Sequence, residues 1–310
     1  MKRLLYTVFL VAVWTSVIAQ QAELPIIDIH LHAQDAVWSK TMVCSPQPCT
    51  GPKTKITKIS ELLPMTVSEM RKNNVVLGVV TWDNLKKLKK WNEYAPDLFL
   101  TGIAVWDPNS SNLSEIKKEL GESTLNVVGE IAAQYEGYAP DDPELDKYYN
   151  LAIEYDVPLL IHCGALAGRG ESYNVTDGNP LLLEPVIKKY PNLRIWIENA
   201  SYPFSQEIIA LMSRYSNVYV DVSTITWLIP REEFHSYLEK LIIAGLGKRI
   251  MFGSDQMIWP EAIGLGIEAI NTAEFLSEDQ KRDILYNNAA RFLRLSEEQI
   301  ATHHDIVMNK

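Results

Sequence analysis

The sequence has no basic excess: 29 Lys and Arg face 39 Asp and Glu, for a formal net charge of -10 over 310 residues. That excludes nucleic acid or an anionic membrane as the main partner, because nothing is available to neutralise phosphates. The dense basic stretch Lys86 to Lys90 fits the solvated face of a helix. Linkers, internal repeats and low-complexity tracts are missing after residue 22, so residues 20–310 read as one domain. Cysteine is scarce, at three residues. Cys44 and Cys49 enclose the turn-rich Ser45-Pro46-Gln47-Pro48, a loop that an oxidising compartment could close with a disulfide. No second ligand pair follows them, which argues against a zinc knuckle. Cys163, beside His162 in an apolar strand, reads as a buried, inert thiol.

Long apolar runs are limited to Leu4 to Ala19, preceded by Lys2 and Arg3. Thr7, Thr15 and Ser16 interrupt the run, and it is short for a full membrane span. Residues 1–19 therefore read as a signal peptide. The expectation is an exported protein, periplasmic or secreted, with no stable membrane insertion after cleavage. No cysteine stands at the cleavage point to anchor a lipid. Asn109, Asn112, Asn174 and Asn199 head Asn-x-Ser/Thr triplets, which become glycosylation candidates only in a eukaryotic secretory route.

What the chain does have is alternation. Short β-branched runs occur at Ile26 to His30, Val75 to Thr81, Phe99 to Trp106, Val127 to Ala132, Leu159 to Cys163, Arg194 to Ile197, Val218 to Val222 and Ile250 to Phe252. Longer amphipathic stretches separate them, among them Asp142 to Asp156, Leu181 to Tyr190 and Arg231 to Ala244. Eight such units predict an α/β fold, a (β/α)₈ TIM barrel closed by parallel strands. A doubly wound open sheet gives the same alternation, but no glycine-rich phosphate turn follows the first strand. The segment from Trp38 to Lys58 is a long loop, expected to overhang the barrel mouth. The last fifteen residues, with His303 and His304, read as a solvated helical tail.

The motif Ile26-Ile27-Asp28-Ile29-His30-Leu31-His32 ends an apolar strand in two histidines. Period two puts both imidazoles on one side with Leu31 opposed, supplying half a tetrahedral zinc shell. Val157 to Gly164 repeats the arrangement around His162, and Arg249 to Asp255 closes the eighth run with a carboxylate. Taken singly, His162 fits a satisfied core histidine and Asp255 a helix cap. Taken together, the three strand ends place a metal site at the C-terminal ends of the strands.

These residues make the chain resemble the amidohydrolase superfamily, in its amidohydrolase-related (amidohydrolase 2 type) branch, which includes decarboxylases and lactonases. The resemblance runs from about residue 25 to 294. It rests on His30-Leu31-His32, Gly129-Glu130, Leu160-Ile161-His162, Phe252-Gly253-Ser254-Asp255 and Asn287-Asn288-Ala289-Ala290-Arg291. It implies one or two divalent metals, commonly zinc, held by His30, His32, His162 and Asp255. Asp255 also takes a proton from the attacking water, and Glu130 stands where relatives with two metals carry a bridging ligand. Glu130 paired with Arg194 is the structural alternative. Asn199 stands where relatives carry a strand-six histidine. Its amide cannot do proton chemistry near neutral pH but could donate to a developing oxyanion. Glu198, one residue earlier, is expected to point away unless a bulge intervenes.

The function expected is metal-dependent hydrolysis of a small amide, lactone or ester. Decarboxylation, or a non-catalytic metal or ligand-binding barrel, are the alternatives. Gln134, Tyr135, Tyr202, Asp221, Trp227 and Trp259 are further candidates to line the pocket. The expected partner is a small-molecule substrate. A homo-oligomer stays open, since no exposed face shows an assembly signature.

Overall fold

The computed structural model describes residues 24–37, 53–110, 112–165 and 172–310. The signal peptide expected at 1–19, the Cys44-Cys49 clip and most of the loop from Trp38 lie outside those residues. Eight strands form one sheet in chain order: β1 (Ile26–His32), β2 (Val75–Trp82), β3 (Phe99–Val105), β4 (Val127–Ile131), β5 (Leu159–Ile161), β6 (Ile195–Ile197), β7 (Val218–Asp221) and β8 (Ile250–Met251). Every neighbouring pair is parallel. Two backbone bonds bring the last strand onto the first, Ile29 N to Phe252 O at 3.0 Å and Asp255 N to His30 O at 2.8 Å. Closure depends on Gly253, where an added Cβ would stand 2.7 Å from the Cβ of His30. The fold is the expected (β/α)₈ barrel.

Two layers of core hold it. The larger lies between strands and helices, with Leu31, Val80, Ile131 and Ile197 among its members. The second contains Ile27, Leu77, Val127, Leu160, Trp196 and Met251, one residue from each of six strands, with Phe292 packed against them. Side chains from six strands of a barrel meet only in its interior, so this cluster fills the lumen. Burial of each aliphatic member contributes about 1.5–3 kcal/mol. Leu160 and Trp196 thereby fix the inward parity of β5 and β6.

The helices follow the sequence pattern. Leu85–Tyr94 is capped by the Asn84 side chain, which accepts from Lys87 N. Leu88 and Trp91 are buried while Lys86, Lys89 and Lys90 are exposed, so the basic stretch is a solvated face. Asp142 caps a short 3₁₀ turn that leads into Asp146–Glu154. The tail forms helix Glu297–Met308. It departs from the expected solvated tail at His303, which is buried with its Nδ1 2.9 Å from Tyr286 Oη. Among the described residues no helix is long and apolar enough to cross a membrane.

Candidate metal centre

Five strand ends deliver side chains to one point of the barrel mouth. A register shift between Asp28 and Leu31 marks a bulge in β1 just before its histidines. His30 and His32 then face the same way, their Nε2 atoms 3.2 Å apart. That spacing lets one ring donate to the other, and it equally suits two imidazoles that share a cation. His32 Nε2 lies 3.0 Å from Asp255 Oδ1 and 3.4 Å from Glu130 Oε2. His162 Nδ1 is 3.4 Å from Glu130 Oε1 and in direct contact with Glu198 Oε1. The five residues expected as metal ligands, His30, His32, Glu130, His162 and Asp255, are thus brought together.

Asn199 and Glu198 exchange their expected places. Trp196 faces the lumen, and period two carries Glu198, not Asn199, to the same side. Glu198 Oε2 stands 3.4 Å from His30 Nε2. Asn199, Ala200 and Ser201 then adopt left-handed φ of 53°, 46° and 57° and turn the chain away. Such a run costs about 1–2 kcal/mol per residue and persists only where surroundings hold it. Here Asn199 N donates to Asp221 Oδ1 at 2.9 Å, and Tyr237 Oη donates to Ala200 O at 2.8 Å. The Asn199 carbonyl oxygen accepts from Ser223 Oγ at 3.0 Å and Thr224 N at 2.9 Å. Its amide nitrogen donates to Glu198 Oε1 at 3.3 Å. Asn199 fastens β6 to β7 and steadies Glu198; the expected outward Glu198 is corrected by the parity of Trp196.

A further set of side chains orients the ligands from behind. Asp221 Oδ2 accepts from His30 Nδ1 at 3.0 Å and Trp196 Nε1 at 2.8 Å, which turns His30 Nε2 toward the centre. Thr81 Oγ1 is 3.3 Å from His32 Nδ1, and Thr224 donates a short bond to Asp255 Oδ2. Gln134 Nε2 holds His162 O at 2.7 Å. Ser223, Thr224 and Thr81 were not singled out in the sequence; hydroxyl residues at the ends of β2 and β7 were the available signal.

The centre is strongly acidic. Among the described residues, the ion-pair partners of Glu130, Glu198, Asp221 and Asp255 are histidines alone. Arg194 instead holds Phe292 O and Asp156, so it does not neutralise Glu130. Burial works against a charge on His30, yet Asp221 and Asp255 hold its pKa up at about 10. Burial pushes His162 down to about 4 against the pull of Glu130 and Asp255. Burial also opposes the charged form of Asp255, but His30 and His32 keep its carboxyl below the usual range. Burial drives the Cys163 thiol far up, in keeping with an inert residue. Several buried polar atoms around the centre have no hydrogen-bond partner: Glu130 Oε2, Glu198 Oε2, Asp255 Oδ1 and both ring nitrogens of His162. Orphaned donors of this kind, converging with three neutral-capable imidazoles, fit a divalent cation.

Aromatic rings run in an arc from one histidine to the other: His32 to Trp82 at 6.3 Å, Trp82 to Trp106 at 6.0 Å, Trp106 to Tyr135 at 6.2 Å, Tyr135 to His162 at 5.3 Å. Tyr173 extends it from Tyr135 at 6.0 Å. A cavity of about 620 Å³ opens beside Trp106 and Asp35. Of the other candidates, Trp227 and Trp259 pack on each other at 5.9 Å in a separate cluster. Tyr202 bonds to Glu233 and packs on Tyr237.

Residues 27–295 match the family model described as Amidohydrolase. The chain belongs to that family. Protein fluG of Emericella nidulans is 24% identical over 156 residues, which covers 46% of this amidohydrolase-family chain and only 18% of fluG. Among solved structures, an uncharacterised TIM-barrel protein of Bordetella bronchiseptica aligns with TM-score 0.67 at 18% identity, over 90% of this chain and all of its own. A probable 2-pyrone-4,6-dicarboxylic acid hydrolase of Acinetobacter baumannii gives 0.62 at 13%, over 88% and 100%. A 5-carboxyvanillate decarboxylase of Novosphingobium aromaticivorans, complexed with manganese, gives 0.59 at 14%, over 89% and 97%. At these identities the structural likeness speaks for the fold.

Proposed function

We propose that this amidohydrolase-family chain hydrolyses a small amide, lactone or ester. The observation that carries the reading is the setting of Asp255, whose Oδ1 stands 3.0 Å from His32 Nε2 among the candidate ligand atoms while Thr224 holds its other oxygen. A carboxylate fixed beside the ligand atoms is placed to take a proton from an attacking water, the step that hydrolysis needs.

His30, His32 and His162, with Glu130 and Asp255, would hold the divalent cation, zinc in the first instance. When bound it supplies Lewis acidity, lowering the pKa of a water and polarising a carbonyl. The chain's own part is positional. Asp255 turns Oδ1 to the centre, 3.0 Å from His32 Nε2, where it can take a proton from the attacking water, while Thr224 fixes its other oxygen. Asp221 keeps a proton on His30 Nδ1, so the ring cannot rotate without losing that bond. The aromatic arc from Trp82 to Tyr135 shields one side of the centre from water and offers flat apolar faces to the substrate. Export through residues 1–19 belongs to the same reading and is checked by sequencing the N-terminus of the secreted or periplasmic chain.

The test is a panel of neutral lactones, esters and amides beside aromatic carboxylic acids, with purified protein before and after chelation. Hydrolysis of a neutral compound, lost on chelation and lowered at least about 100-fold by Asp255→Asn, is expected. Release of carbon dioxide from an acid, with no hydrolysis, would overturn it.

A further inference from the structure

The centre lacks the strand-six histidine, and the structure puts a different donor in its place. We propose that Glu198 is the strand-six ligand and completes a site for two divalent cations, built from three histidines and three carboxylates. This rests on the reading that the cluster binds a divalent cation at all.

Three observations converge. Glu198 is 2% exposed, and its Oε2 has no hydrogen-bond partner while standing 3.4 Å from His30 Nε2. Its other oxygen touches His162 Nδ1, so one carboxylate spans from the β1 side of the mouth to the β5 side. A carboxylate has two oxygens to give, and such a bridge is what two adjacent cations need.

The ligand atoms, next, fall into two overlapping groups, His30 with His32 and Asp255, and His30 with Glu130 and Glu198, each within 4.8 Å. His162 adds a nitrogen on the Glu130 and Glu198 side. The groups overlap at His30, whose single inward nitrogen serves one cation with His32 and Asp255; Glu130, Glu198 and His162 are left to hold the second.

Charge supplies the third argument. Glu130, Glu198, Asp221 and Asp255 are all buried and touch only histidines among cationic partners in the described residues. Leaving a carboxylate unmatched in such surroundings costs several kcal/mol. Two divalent cations match four negative charges; one leaves half of them. The replacement of a nitrogen donor by an oxygen donor also shifts preference toward harder ions such as Mn²⁺.

The experiment strips the full chain with a chelator and reloads it with Mn²⁺ or Zn²⁺ alone. Elemental analysis, calorimetric titration and electron paramagnetic resonance of the manganese form are the readouts. The wild type is expected to bind two equivalents and to show the signal of a coupled manganese pair. Glu198→Gln is expected to keep one equivalent, with the second weakened beyond about 100-fold, the upper range for losing even an indirect partner. Glu198→His is expected to keep two while raising the Zn²⁺ to Mn²⁺ affinity ratio of the second site at least about tenfold. Two equivalents at unchanged affinity in Glu198→Gln, or a wild type that saturates at one, overturns the proposal and leaves the hydrolase reading standing. A wild type that binds none overturns both. Should Glu198→Gln fail to fold, an unchanged metal ratio in Glu198→His overturns the proposal by itself.

Discussion

The two sides of the barrel mouth are built differently. On the β1, β7 and β8 side every ligand leans on a partner: His30 on Asp221, His32 on Thr81, Asp255 on Thr224. On the β4, β5 and β6 side, Glu130 and Glu198 each carry an oxygen without a hydrogen-bond partner, and His162 Nδ1 leans on those same two carboxylates. The first side is braced by residues outside the ligand set; on the second the ligands brace one another. A metal bound to a centre divided in this way would find a standing template on one side and complete the other.

The comparison breaks most sharply at Asp221, which accepts from His30, Trp196, Asn199 N and both the amide and hydroxyl of Ser223. Removing it leaves these buried donors unmatched. Asp221→Ala is expected to cost about 3–5 kcal/mol in urea unfolding and to abolish metal retention on dialysis. Equal stability in the variant would show that the template side is no more built than the other.

Chelation probes the opposite side. Loss of an ion present at about 100 times its Kd removes about 2.7 kcal/mol of stability. Hydrogen exchange on stripping is expected to rise in the segments following β4, β5 and β6, and to stay flat in β1 and β8. Uniform deprotection would erase the distinction.

The smallest effect sharpens the template side through a weak point in it. Asp28 stitches β1 to β8 by accepting from His30 N at 3.2 Å and Ser254 N at 2.9 Å, but its Oδ2 is orphaned. Burial raises its pKa from 3.8 to about 7. Between those values the unfolded chain gives up a proton that the folded chain keeps, so stability falls as pH rises, and the full penalty stands above about 7. Asp28→Asn, which preserves the accepting oxygen, is expected to stabilise the stripped protein by about 1–2 kcal/mol at pH 8. Thermal melts at the two ends of the range check it, with the gain vanishing near pH 4.

Much of this was readable from the amino acids. The β-branched runs located all eight strands to within two residues, because strands buried on both faces must be continuous and apolar. His30, His32, His162 and Asp255 were readable because each interrupts such a run at its end. Glu198 was not, for a physical reason: counting inward positions from an expected histidine at 199 gives the opposite parity from counting off Trp196. Nothing in Asn199-Ala200-Ser201 announces three left-handed residues, since no glycine marks the turn. Trp82, Trp106 and Tyr173 escaped because an aromatic at a strand end looks the same whether it packs under a loop or walls a pocket.

The closure of β8 onto β1 has a bearing on how the protein is made. His32 and Asp255 are brought together by the bonds that cross that seam, from Ile29 N, Ser254 N, Asp255 N and Gln256 Nε2, and they come from opposite ends of the chain. A nascent polypeptide stalled before Phe252 has Asp221 and Thr81 to steady His30 and His32, but it lacks Asp255 and the seam that brings it in. A cation that needs the full ligand set would therefore be captured only once the last strand has arrived.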